Sequence, residues 1–196
     1  MKVIGITGGV GAGKTQVLEY LNNKYGATIC QTDLVAKKMQ KKGGECFDAI
    51  VEHFGESILN EKGELDRDRL AGIIFNDPEE LEAMNAIVHP AVKDEIRKKI
   101  AHEERKHTNV FIVESALLIE DSYDEFCDEL WYIYVEDETR KKRLIFSRGY
   151  DAKKVADIIS SQPSKDIYLK HCDRVIDNNG VFAETTEQLD CAIKDL

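Results

Sequence analysis

The sequence predicts an α/β fold, a mostly parallel sheet covered by helices on both faces in a three-layer arrangement. Three observations lead there. Short apolar runs with β-branched residues at 3–6, 110–113 and 130–135 read as strands buried on both faces. Stretches with helical spacing alternate with them. The first run passes through a glycine-rich loop directly into such a helix.

The elements follow in order. Residues 3–6 (Val-Ile-Gly-Ile) form the first strand, and 14–25 carry Val17, Leu18 and Leu21 on one helical face. Residues 28–30 are a second short strand, then a helix runs from Asp33 to about Lys42, where Gly43 and Gly44 stop it. From Glu45 to His107 the pattern is mostly helical, with Cys46, Ile50, Val51 and Phe54 on one face and Leu65, Leu70, Ile73, Ile74 and Phe75 on another. Pro78 opens a further helix at an early-turn position. Pro90 interrupts that pattern and predicts a kink near His89.

Strands at 110–113 and 130–135 come next, then a helix from Thr139 to about Arg148. A polar stretch with few apolar anchors runs to about Tyr168. Residues 174–176 make a last strand, and about 183–193 a closing helix. The long helical stretch between the second and third strands reads as an insertion on the sheet, a wall or lid over a site. With 196 residues, one full core plus such an insertion is expected.

Composition narrows the class. There are 27 Lys plus Arg against 37 Asp plus Glu, a formal charge of −10, which argues against a nucleic-acid partner. At 42% hydrophobic residues the chain is not a disordered acidic segment. Five cysteines without a Cys-x-x-Cys pair fit free thiols in a reducing cytosol. The opening apolar run is too short for a signal segment, and nothing approaches the ~18 apolar residues of a membrane span. A cytoplasmic protein with no membrane partner, a monomer or weak homo-oligomer, is expected.

The chemistry is concentrated in Gly8, Gly9, Val10, Gly11, Ala12, Gly13, Lys14 and Thr15, a match to G-x-x-x-x-G-K-[ST] between strand and helix. The glycines let backbone amides turn inward around a phosphate, and the helix N-terminus, with Gln16 in its first turn, adds its positive dipole end. Lys14 would reach the β- and γ-phosphates, and the Thr15 hydroxyl would ligate Mg²⁺. A dinucleotide G-x-G-x-x-G is excluded: starting at Gly9 or Gly11, the last glycine position falls on Lys14 or Gln16. The loop reads as a nucleoside triphosphate site. A GTPase switch would carry an Asn-Lys-x-Asp segment, and the chain has none.

Three further features bear on what the nucleotide is used for. Asp33 follows the second strand at the carboxyl edge of the sheet, placed to take a proton from a hydroxyl acceptor, to cap the helix after it, or both. Glu114 follows the third strand, either as an acid holding Mg²⁺ through water or as a solvated acid. Arg140, Lys141, Lys142, Arg143 and Arg148 concentrate positive charge in an acidic chain. On a helix Arg140 and Arg143 share a face that Lys141 and Lys142 do not; a solvated helix face accounts for the two lysines, and Arg143 and Arg148 are either a clamp on phosphoryl oxygens or part of that face. His102 and His107 are five apart, one too many for a zinc helix. His89 before Pro90 is either structural or part of the site.

Assembled, these residues make the whole chain resemble the dephospho-coenzyme A kinases, P-loop kinases related in fold to nucleoside monophosphate kinases. The resemblance runs through residues 4–15, Asp33 and Ala36, Leu65-Asp66-Arg67, 74–79, Asn85 to His89-Pro90, 117–120, Arg143, Arg148, Gln162 and 175–180. The F-x-x-P-E, N-x-x-x-H-P and V-I-D-N-x-G segments in this order carry it beyond the shared loop.

The resemblance implies transfer of the ATP γ-phosphoryl group to the 3′-hydroxyl of dephospho-CoA. It implies a P-loop NTPase fold over residues 1–196, with a substrate-side insertion at about 55–107 and a lid at about 148–165. ATP and Mg²⁺ fall to the loop, and Asn178 and Gly180 lie where the adenine pocket is expected. Asp33, as base or orienter, joins His89 and Glu114 on the dephospho-CoA side. Three departures stand out: Gln31 replaces an acid near Asp33, Ala116 replaces a proline, and Ile158 and Tyr168 stand where the family's lid has an arginine and a lysine.

Overall fold

A computed structural model describes all 196 residues. Five strands, β1 (Lys2–Thr7), β2 (Thr28–Gln31), β3 (Val110–Glu114), β4 (Glu129–Tyr134) and β5 (Arg174–Asp177), form one sheet in the order β2-β3-β1-β4-β5. β1 pairs parallel with β3 and β4, and β4 parallel with β5. The expected parallel sheet is present.

Side chains of one sheet face alternate with period two. Ile4 and Ile6, Val110 and Ile112, Trp131 and Ile133, and Ile176 meet Val17, Leu18 and Leu21 of α1 (Lys14–Tyr25) and Leu189 and Ala192 of α9 (Phe182–Lys194). The opposite face is buried too. A side chain at Gly5 would run into Leu118 and Leu130, which is why a glycine interrupts the apolar run. Burial on both faces explains why these strands read as continuous apolar runs.

The chain divides into two compact units, Met1–Cys30 with Glu103–Leu196, and Gln31–His102. In the second, α2 (Thr32–Met39) ends three residues before the expected stop. The chain turns there because the Cys46 amide donates to the Met39 carbonyl (3.1 Å), with Gly44 against that backbone. Then come α3 (Phe47–Phe54), a 3-10 turn at Glu56–Ile58, α4 (Arg67–Ile74) and α5 (Pro78–Arg105).

Leu65, expected on a helical face, instead bridges to Leu59 ahead of α4, whose N-cap Asp66 accepts from the Asp68 and Arg69 amides. Phe75, counted on the same apolar face, is 78% exposed. Helix α5 runs on through Pro90.

The first unit also contains α6 (Asp137–Arg148) and two helices where a polar connection was expected, α7 (Ala152–Ser160) and α8 (Lys165–His171). Asp151 caps α7 by accepting from the Lys154 amide (2.8 Å), and Val155 is its buried anchor. Tyr168 of α8 stacks on Tyr132 of β4 at 4.4 Å between centroids. One anchor per helix suffices once packing supplies the partner surface, α6 for α7 and β4 for α8.

Candidate active site

The strand order makes a crevice. β1 continues into α1 and on to β2, beyond β3, whereas β3, its neighbour, leads to β4 on the other side of β1. Such diverging connections leave a cleft at the carboxyl ends of two adjacent strands, where open α/β sheets take their ligands. The loop 8–15 leaves β1 at this point, and Glu114 is the last residue of β3.

Gly11 (φ +86°) and Gly13 (φ +84°) adopt the left-handed conformation that the loop's turns demand. Gly13 is also the N-cap of α1. Lys14 Nζ donates to the Gly8 carbonyl (2.6 Å) and lies 3.5 Å from Glu114 Oε1, both side chains about 15% exposed. Glu114 therefore faces the loop lysine rather than bulk solvent. Thr15 and Gln16 are exposed on the first turn of α1; the Gln16 amide donates to the Gly13 carbonyl at 3.1 Å, within the helix turn.

Asn178, 3% exposed, braces the loop from the end of β5. Its Nδ2 donates to the Ala12 carbonyl (2.8 Å), and its Oδ1 accepts from Thr185 (2.9 Å). Arg143 donates to the Asn178 carbonyl (2.8 Å), so the helix α6 arginine, the β5 loop and the phosphate loop converge near Gly13. Gly180 is exposed beside Glu184, two residues beyond.

Arg140 is buried against the phosphate loop rather than set on a solvated helix face. It is 7% exposed, and its Nε donates to the Val10 carbonyl (3.0 Å) while NH1 pairs with Asp137 (2.9 Å). Gln162 Oε1 accepts from the Val10 amide (3.1 Å) and from Arg140. A cavity of about 390 Å³ opens beside them, lined in part by Tyr132, Tyr134, Asp137 and Lys165. The Lys165 ammonium lies 4.0 Å from the Tyr134 ring centre, and its hydrogen bond to Tyr134 raises its pKa. Burial pushes the Tyr132 and Tyr168 hydroxyls up to about 12, so both stay neutral donors. Tyr168, expected at a lid position, is a core residue here.

Other predicted residues lie at the end of α6 or in the second unit. Arg148 is exposed at the end of α6. Asp33 is exposed in the first turn of α2, but Gln31 holds the N-cap position and no side chain caps the helix, so the capping role does not hold. His89 is half-buried in α5. Thr185, which locks Asn178, left no signal in the sequence, since a threonine inside a helix looks ordinary. Gln162 was visible only through the family resemblance.

A five-stranded parallel sheet in this order, with a glycine loop and lysine at the β1–α1 junction and arginines on α6 directed at it, defines a P-loop kinase. A family model for dephospho-CoA kinase matches residues 2–184. Dephospho-CoA kinases of Symbiobacterium thermophilum and Streptococcus mutans serotype c are 35% and 33% identical, over 98% and 100% of this chain and 80% and 98% of theirs. The structure of a dephospho-CoA kinase from Campylobacter jejuni superposes with a TM-score of 0.72 at 22% identity, covering 100% of this chain and 99% of that one. The chain belongs to the dephospho-CoA kinase family, which consists of ATP-dependent kinases. No helix is long and apolar enough to cross a membrane.

Proposed function

We propose that the chain transfers the γ-phosphoryl group of ATP to the 3′-hydroxyl of dephospho-CoA, using its own residues as follows. The observation that carries this reading is the pairing of Lys14 with Glu114 and the Gly8 carbonyl at the mouth of the loop, within a chain matched by the family over nearly its full length. Incoming triphosphate supplies Lys14 with stronger acceptors at the β- and γ-oxygens than a neutral carbonyl. The loop amides take the remaining oxygens, and Arg143 and Arg148 meet the charge that develops on the transferring group. Asn178 and Gly180 border the adenine.

Asp33 accepts the proton of the 3′-hydroxyl as the new O–P bond forms and the bond to the ADP oxygen breaks. His89 and the helical insertion that contains it, about residues 55–107, serve the acceptor. Thr15 and Glu114 are the residues that would hold Mg²⁺. One hydroxyl and one carboxylate, with no group of three or more His, Cys, Asp or Glu able to hold a metal, suit an ion that keeps its waters and substrate phosphates. Mg²⁺ neutralises charge on the β- and γ-phosphates when bound.

The test is incubation with ATP, Mg²⁺ and dephospho-CoA, following CoA and ADP. Equal amounts of both are expected. No CoA from folded protein that binds ATP refutes the reading. Lys14→Ala weakens both ATP binding and turnover if the phosphate assignment is right, and retained activity removes it.

A further inference from the structure

Two side chains remote from each other in sequence grip both backbone polar groups of a single loop residue. The Val10 carbonyl accepts from Arg140 Nε (3.0 Å), the Val10 amide donates to Gln162 Oε1 (3.1 Å), and Arg140 NH2 donates to that same oxygen. The ring of contacts is closed. Asp137, at the start of α6, takes the third guanidinium nitrogen (2.9 Å) and orients it. Gly9 lies under the guanidinium, where a Cβ would collide with it, so the second glycine of the loop is spoken for by Arg140 rather than by phosphate.

A loop with glycines at Gly11 and Gly13 in the left-handed region has backbone freedom to lose when it orders around phosphate. Anchoring Val10 from outside removes part of that loss in advance. The anchor also has a second attachment. Gln162 sits in the turn between α7 and α8, so one oxygen links the loop's shape to the placement of that turn.

We infer that Arg140 and Gln162 are positioning residues for ATP: together they hold the outer side of the phosphate loop in its phosphate-receiving shape and tie ATP affinity to the position of the α7–α8 turn. Neither side chain need touch the nucleotide for this. The inference rests on the reading of residues 8–15 as the ATP phosphate site.

The experiment measures ADP and ATP affinity by calorimetry, and separate KM values for ATP and dephospho-CoA, on full-length wild type, Gln162→Leu, Gln162→Glu, Arg140→Met and the Gln162→Leu/Arg140→Met double variant. Losing the shared acceptor leaves two donors unpaired, so Gln162→Leu should weaken ATP binding and raise its KM about tenfold, with kcat and the acceptor KM little changed. Gln162→Glu supplies the same two-fold acceptor and should recover most of that affinity. The double variant should bind little worse than Arg140→Met alone, because both act through one ring.

A merely structural role would lower the melting temperature or the active fraction without moving the ATP KM, and that result overturns the inference. So does Gln162→Glu binding as weakly as Gln162→Leu. Should the leucine variant not fold, Arg140→Lys carries the test, since an ammonium cannot span Val10 and Gln162 as the planar guanidinium does; wild-type ATP affinity in it is refuting. Wild type that binds no ATP overturns the loop assignment itself, and the inference with it, which is a distinguishable failure.

Discussion

Replacing Asn178 by alanine should expose how far the phosphate loop depends on the end of β5. The side chain is 3% exposed and its Nδ2 gives the Ala12 carbonyl a hydrogen bond at 2.8 Å, while Ala12 itself is 1% exposed. Thr185 does not add to the loss. Its hydroxyl carries one proton and has two acceptors in reach, Asn178 Oδ1 at 2.9 Å and the Asp177 carbonyl at 3.1 Å, so it keeps the second when the first is removed. The stranded group is therefore the Ala12 carbonyl, and an orphaned buried acceptor costs about 1–3 kcal/mol.

We expect Asn178→Ala to lose about 2 kcal/mol, seen as a fall of about 4–8 °C in Tm for a chain of this size and a lower urea midpoint at unchanged m. The Asp variant gives a second reading with a definite sign. A carboxyl at 178 can donate to the Ala12 carbonyl only when protonated, so its folded pKa is raised above the unfolded value of about 3.9. Its stability relative to the Ala variant is then fully present below about pH 3.9 and is lost as pH rises through the folded pKa. A loss under about 0.5 kcal/mol for Asn178→Ala, or an Asp variant whose stability relative to Ala does not fall with pH, refutes the brace.

Three shorter predictions follow from other residues. Asp33→Asn should leave the ATP KM nearly intact and cut kcat by ~10² or more, the usual contribution of a positioned proton acceptor; unchanged kcat removes Asp33 from proton transfer. Thr7 is fully buried just ahead of the loop and its hydroxyl has no partner, so the isosteric Thr7→Val should be neutral or up to ~1 kcal/mol more stable in urea melts, and a clear loss would reveal a bond the structure does not contain. Glu103 accepts from Thr108 (2.7 Å), Lys106 and Thr28, which hold its carboxyl down at about 2. Its contribution is present above the ordinary value of 4.5 and disappears as pH falls toward 2, so the Tm gap between wild type and Glu103→Gln should close on acidification, and a constant gap contradicts it.

Much of the architecture was legible because its signals are local. Buried parallel strands appear as unbroken apolar runs, and α1 from Lys14 to Tyr25 falls on the residues its apolar spacing indicated. The phosphate loop was readable for the same reason: eight consecutive residues contain the turn, the amides, the lysine and the hydroxyl. Helices α7 and α8 were not legible, since each relies on a single buried anchor, Val155 or Tyr168, and the partner of Tyr168 is Tyr132 on a distant strand. A window of sequence shows too few apolar residues there to distinguish a docked helix from a polar connection.

The charged residues divide along the same line. Fold class, the order of elements apart from α7 and α8, the nucleotide loop and the family follow from the amino-acid order alone, because strand burial, helical period and motif spacing are properties of neighbours in the chain. What the individual charges do was settled by packing. Arg140 looked like one of five cations in a basic run and is a buried strut on Val10; Glu114 read as either an acid for Mg²⁺ or a solvated acid at a strand end, and it faces Lys14. A side chain's role depends on which distant groups the fold brings within hydrogen-bonding reach, and the pairings of Val10 with Arg140 and Gln162, and of Ala12 with Asn178, exist only once β4, β5 and the helices between them have packed beside β1.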